Sequence, residues 1–140
     1  MPNVESYRQL VEARAGGACE YCRLLQAATG VTFHIEHFVP RFQGGLTAMG
    51  NLLLSCPGCT LAKADRMIGL DDEGKEHPLF NPREYDPWLL GWHLHFALDR
   101  NTGLIVPRTP VGEATATTLR VNDGRRVFAR KLQIVVGLLA

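Results

Sequence analysis

The chain lacks any stretch approaching the ~18 continuous apolar residues that a membrane-spanning helix needs. Its first residues, MPNVESYRQL, do not pair a basic start with an apolar run. Membrane insertion and export are therefore not expected, and a cytoplasmic location is. The apolar ending, LQIVVGLLA, is too short for an anchor and reads as the last turns of a docked helix. Charge of one sign is also lacking: 15 Lys and Arg stand against 14 Asp and Glu, a net charge of +1 that advertises no polyanion partner. Internal repeats and low-complexity segments are absent, which argues against a solenoid or a disordered linker. Cysteine is scarce, with four in 140 residues, too few for a disulfide-dense scaffold.

What is present suits one globular domain spanning residues 1–140, with 46% hydrophobic and 21% charged residues. The balanced total hides an uneven distribution. From Pro107 to Ala140 six bases (Arg108, Arg120, Arg125, Arg126, Arg130, Lys131) face two acids, whereas Ile68 to Val106 holds three bases and seven acids. The basic tail could face phosphate, or Arg125, Arg126 and Arg130 could simply line a solvated helix face.

After a cap at Pro2-Asn3, Val4 to Arg14 reads as an amphipathic helix that Gly16-Gly17 stops. Val31 to Val39 is strand-like in its β-branched and aromatic content, and a loop follows at Gln43-Gly44-Gly45. Asn51 to Ser55 reads as a second, buried strand, and Pro57 is placed to open a helix through Lys63. Beyond Arg66, GLDDEGKEHP looks like a surface loop. A β-hairpin is expected from Trp92–Leu98 and Gly103–Val106, with His93 and His95 on its exposed face. Helices from about Gly112 to Val121 and from Asn122-Asp123 onward, the latter carrying Val127, Leu132, Val135 and Val136 at helical spacing, close the chain.

All four cysteines fall into two identical spacings, Cys19-x-x-Cys22 and Cys56-x-x-Cys59. Two such knuckles can supply four thiolates to a tetrahedral zinc. Disulfides fit poorly without an export signal, and a redox pair would call for a strand-to-helix βαβ context. Four sulfurs leave no open coordination position, so a zinc here is expected to be structural.

Between the knuckles lie Phe33-His34-Ile35-Glu36-His37-Phe38-Val39-Pro40, then Gly44-Gly45-Leu46 and Asn51-Leu52. In this order and spacing, over roughly residues 17–66, the chain resembles the four-cysteine members of the HNH endonuclease family. Leu79-Phe80-Asn81-Pro82-Arg83 and Val121-Asn122-Asp123, in the extension 67–140, are similar to the tails of short, free-standing bacterial HNH proteins. The resemblance implies an α+β fold: a ββα-metal core (the HNH or His-Me finger) with a four-cysteine zinc site, plus an N-terminal helix and a C-terminal β-hairpin and helices. It implies hydrolysis of DNA phosphodiester bonds, with RNA left open as a substrate. It makes Glu36 a ligand of a catalytic divalent cation, His37 the base that activates water, and Asn51 the amide that orients the histidine or its loop. Magnesium or manganese suits a hard carboxylate ligand, with zinc or nickel as other candidates.

Where the family usually carries His or Asn directly after the last cysteine, as a second cation ligand, this chain has Thr60. A hydroxyl can coordinate magnesium, so the expectation is a nuclease with a weakened metal site. A catalytically inactive, zinc-stabilised nucleic-acid-binding module is the alternative. His34, two residues before Glu36 and on the same strand face, and Arg41, Lys63 and Arg66 are candidate nucleic-acid contacts. Adjacent strand residues point to opposite faces, so whether Glu36 and His37 share a cavity is left open by sequence, as is the oligomeric state.

Overall fold

A computed structural model describes residues 3–139. Asn3 accepts from the Glu5 amide and caps a 3-10 turn, Val4–Tyr7, that runs into helix α1, Arg8–Ala15. Pro2, the other half of the expected cap, lies outside the described residues. Gly16 ends α1 in the left-handed region (φ 66°), where a glycine has no Cβ penalty. The chain then turns through the first knuckle, where the Cys19 amide donates to the Leu24 carbonyl at 2.8 Å. A short helix, α2 (Gln26–Thr29), follows. Its Gln26 side chain donates to Glu12 and accepts from the Phe33 amide, tying the turn to α1 and to the segment entering the first strand.

Strands β1 (His34–His37) and β2 (Leu52–Ser55) pair antiparallel, with Glu36 opposite Leu53 and His37 opposite Leu52. All four β2 residues are buried, so its three leucines pack on both faces of the sheet. The outer edge of β2 is closed by side chains rather than by a third strand. Leu54 exchanges backbone and side-chain bonds with Glu20, and Arg14 and Arg83 both donate to the Leu52 carbonyl. Glu20 and Arg83 are themselves ion-paired in a nearly solvent-free position. This satisfies backbone groups that an uncovered edge would leave unpaired.

Helix α3 (Pro57–Lys63) begins on the second knuckle: Cys56 is its N-cap and Pro57 its first residue. The order β1, loop, β2, α3 is as the sequence predicts. The segment read as a surface loop is instead a short hairpin, β3 (Ile68–Leu70) with β4 (Glu76–Pro78), whose turn Asp71 holds by accepting from the Glu73 and Lys75 amides. Gly69 of β3 lies against Ala114 and Thr118, where a Cβ would collide.

The expected Trp92–Leu98 strand is corrected. Trp88–His95 is helix α4, and strand β5 covers Phe96–Leu98, paired with β6 (Ile105–Pro107). Buried Trp88, Gly91, Trp92 and His95 follow the i, i+3, i+4, i+7 spacing of a helix face. His95 is thus buried, sharing hydrogen bonds with Tyr85 and Thr109, rather than on an exposed strand face. Helix α5 (Pro110–Leu119) is capped by Thr109 and packs on the β3–β4 hairpin. Helix α6 (Gly124–Val135) starts at the Asp123 cap, which accepts from the Arg125 amide. It ends before the last apolar residues, so LQIVVGLLA is helical only at its beginning.

A second correction concerns α6. Arg126 and Arg130, expected on a solvated face, are buried together with Gln133, while Leu132, Val135 and Val136 are exposed. The reason is electrostatic and hydrogen-bonded: both guanidinium groups reach the cysteine knuckles.

Candidate active site

The four cysteines come together in the interior. Their sulfurs lie within 4.8 Å of one another, and all four residues are buried. Sulfurs bound tetrahedrally at ~2.3 Å from a zinc are separated by somewhat less than this. In each knuckle the amide of the second cysteine points at the sulfur of the first, at 3.4 Å for Cys22 to Cys19 and for Cys59 to Cys56. No disulfide joins them. By its geometry, donor type and seclusion the cluster can hold a metal such as zinc. Arg126 adds a guanidinium donor 3.0 Å from the Cys59 sulfur, and Arg130 donates to the Cys22 carbonyl at 3.3 Å.

Pinned by these knuckles, β1 and α3 enclose an open depression of about 300 Å³ bordered by His34, Glu36, His37, Arg41, Thr60 and Asp65. Glu36 and His37 therefore share one cavity although they are adjacent on a strand. β1 ends at His37 and, among the described residues, no third strand lies beside it, so the imidazole borders the depression from the end of the sheet.

Glu36 is the most perturbed carboxyl in this cavity. Burial pushes it up to about 7, against the opposing pull of the Lys63 charge and the Ser55 hydroxyl. Its Oε2 is buried with no hydrogen-bond partner among the described residues, and so is Thr60 Oγ1. Two buried oxygens of the same depression, both unsatisfied, form an electron-rich pair that suits a hard cation. Asp65 adds an exposed carboxylate at the rim that the sequence reading missed, having no motif to mark it.

His37 Nε2 lies 2.8 Å from Thr47 Oγ1; in the tautomer in which Nε2 donates to that hydroxyl, Nδ1 is the ring nitrogen able to accept a proton. Burial and the Arg41 charge hold its pKa below the usual imidazole value, so the ring is neutral at pH 7. Thr47 was also missed, being one hydroxyl in a loop without periodicity.

Among the described residues the Asn51 side chain makes no hydrogen bond to His37. It accepts from the Val39 amide at 2.9 Å and donates to the Val39 and Leu46 carbonyls at 3.0 Å each. It thereby clamps both ends of the loop that follows β1. Gly45 lies beneath this clamp, where a Cβ would run into the Val39 carbonyl.

Of the candidate nucleic-acid contacts, His34 and Arg41 are at the depression. Lys63 is corrected: it is fully buried, donating to the Phe38 carbonyl at 3.2 Å, and its ammonium is not on a surface that phosphate could meet. Its charge instead steadies Glu36. Arg66 is exposed but borders a separate depression with Arg120 and Arg126.

Residues 19–66 match the family model described as HNH endonuclease, and the remainder of the chain lies outside that match. No curated protein and no solved structure matches the chain. No helix among the described residues is long and apolar enough to cross a membrane. The matched segment holds both knuckles, strands β1 and β2 and α3, so residues 19–66 are similar to the HNH endonuclease family and have an α+β arrangement consistent with its ββα-metal architecture.

Proposed function

We propose that the protein is a metal-dependent endonuclease that hydrolyses phosphodiester bonds of DNA, with RNA as a second candidate substrate. The observation that carries this reading is the pair of buried, unpartnered oxygens, Glu36 Oε2 and Thr60 Oγ1, in the depression that His37 also borders. In this reading a zinc at Cys19, Cys22, Cys56 and Cys59 is structural, since four thiolates complete its coordination shell. Glu36 and Thr60 would hold the catalytic cation, magnesium or manganese by donor type. When bound, that cation supplies a charge sink for the scissile phosphate and for the leaving oxygen.

The chain's own residues supply the rest. His37, neutral and fixed through Nε2 by Thr47, takes a proton from the attacking water at Nδ1. Asn51 holds the loop that carries Thr47 and so acts as a positioning residue, at one remove from the orientation of His37 that the family resemblance implies. Arg41 and His34 offer donors to backbone phosphates at the rim. The extension from residue 67 belongs to the same unit in this reading, because Arg126 and Arg130 reach the knuckles.

The alternative, a non-catalytic nucleic-acid-binding module, is favoured by Thr60, whose neutral hydroxyl is a weaker ligand than imidazole. The test is nicking of supercoiled plasmid by zinc-loaded protein in Mg2+ or Mn2+. Nicking that chelation of the added cation stops and His37→Ala abolishes supports the endonuclease. DNA binding without nicking in either cation supports the module.

A further inference from the structure

Helix α6 is turned inside out. Its buried side chains include Arg126, Arg130 and Gln133, whereas Phe128, Leu132, Val135 and Val136 are 66%, 49%, 66% and 67% exposed. A surface helix ordinarily turns its apolar stripe toward the core. Here the buried face has its own explanation. Arg126 serves the Cys59 sulfur and the Leu119 carbonyl, Arg130 serves the Gly103, Cys22 and Val121 carbonyls, and Gln133 accepts from the Leu25 amide. The outward stripe, at i, i+4, i+7 and i+8, has no partner within the described residues, and contiguous apolar surface of this kind marks an interaction site.

We propose that this face docks a second copy of the chain, with the two α6 helices packed antiparallel about a two-fold axis at Leu132. The stripe is close to symmetric about that residue, with Phe128 four positions before it and Val135 and Val136 three and four after it. An antiparallel pairing sets Leu132 on the partner's Leu132, and Phe128 on the partner's Val135 and Val136, an isologous contact. The charges agree with this direction. Arg125 and Arg126 occupy the first turn of α6 and no base occupies the last, so the helix's own charges oppose its dipole. Antiparallel pairing lays each exposed Arg125 beside the partner's C-terminal turn, the negative end of the dipole. Lys131, the other cation near the seam, is already engaged by the Arg100 and Asn101 carbonyls at 3.3 and 2.6 Å. The helix is ~18 Å long, which is short for an interface of the standard ~800 Å² per partner, so the dimer belongs to the micromolar class.

Sedimentation equilibrium of the zinc-loaded full chain tests this. The wild type is expected to shift from a 15.5 kDa monomer toward twice that mass over a range of roughly 1–100 µM. Leu132→Glu is expected to weaken association by at least about tenfold, one unit of discrimination on that scale. Leu94→Glu, an exposed position on α4, is expected to leave it unchanged. Should Leu132→Glu lose zinc or helicity, Leu132→Cys provides a second readout, since cysteines meeting at the axis oxidise to a disulfide-linked dimer. A wild type that stays monomeric throughout, including one that instead binds anionic vesicles as a monomer, overturns the proposal. So does association that Leu132→Glu leaves intact, or failure of Leu132→Cys to cross-link under oxidation.

Discussion

The Arg126 guanidinium donates to the Cys59 sulfur at 3.0 Å across 67 residues of sequence. A zinc bound by four thiolates carries a net charge of −2 in a buried site, and Arg126 and Arg130 place two cations around it. Gly58 leaves room for Arg126: a Cβ there would lie 3.2 Å from the guanidinium carbon, close enough that the side chain would have to shift by a few tenths of an ångström. Hydrogen bonds to ligand atoms typically change metal affinity by about 10–100-fold. Arg126→Met is accordingly expected to release zinc faster to a chromogenic chelator, with Arg126→Lys recovering part of the difference. An unchanged release rate in a folded Arg126→Met protein would show that the contact is only packing.

This relationship marks what could be read in the sequence and what could not. The cysteine knuckles, β1, β2 and α3 are specified by short spacings, Pro57 and a run of leucines, so their order is legible locally. Helix α4 was misread because Trp92-His93-Leu94-His95-Phe96 alternates like a strand, while the helical set Trp88, Gly91, Trp92, His95 begins four residues earlier. The start of α6 is legible in its Asp123 cap, but its early end and its buried face are not, because the groups that draw Arg126 and Arg130 inward lie far away in sequence. At the site, Glu36, His37 and Asn51 were legible as a constellation. Thr47 and Asp65 were not, since their importance comes only from where the loop and the end of α3 bring them.

Thr47 Oγ1 lies 2.8 Å from His37 Nε2, and in the proposed reaction it holds the ring by the nitrogen opposite the one that takes the proton. Thr47→Val keeps the volume and removes the hydrogen bond. Nicking should fall by about tenfold, short of the ~10²–10⁴-fold loss expected when a general base is removed outright by His37→Ala. Equal nicking by Thr47→Val and wild type would mean that the contact does not orient the base.

Glu36 titrates at about 7 because it is buried. A carboxyl must be ionised to bind a cation, so protonation competes with the metal at every pH below that value. Apparent Mn2+ affinity should therefore fall about tenfold per pH unit below pH 7 and level off above it. Calorimetric titration between pH 5.5 and 8.5, over which a solvated glutamate near 4.3 would give no slope, makes the distinction.

The Glu20–Arg83 pair seals the edge of β2 with both side chains almost wholly out of solvent. Removing one member leaves the other charged and buried, at a cost of ~3–5 kcal/mol. Arg83→Met should lower the unfolding free energy by that amount, read as a lower urea midpoint while the slope of the transition stays constant. A change below ~1 kcal/mol would place the pair among solvent-screened surface bridges.

Cation binding itself bears most directly on the proposed chemistry, and Mn2+ titrated into zinc-loaded protein and followed by electron paramagnetic resonance measures it without relying on turnover. Wild type should immobilise Mn2+, Glu36→Gln should not, and Thr60→Asn, which supplies an amide oxygen in place of the hydroxyl, should bind it more tightly. Mn2+ bound equally well by Glu36→Gln, or by neither protein, would contradict a cation site built on Glu36 and Thr60.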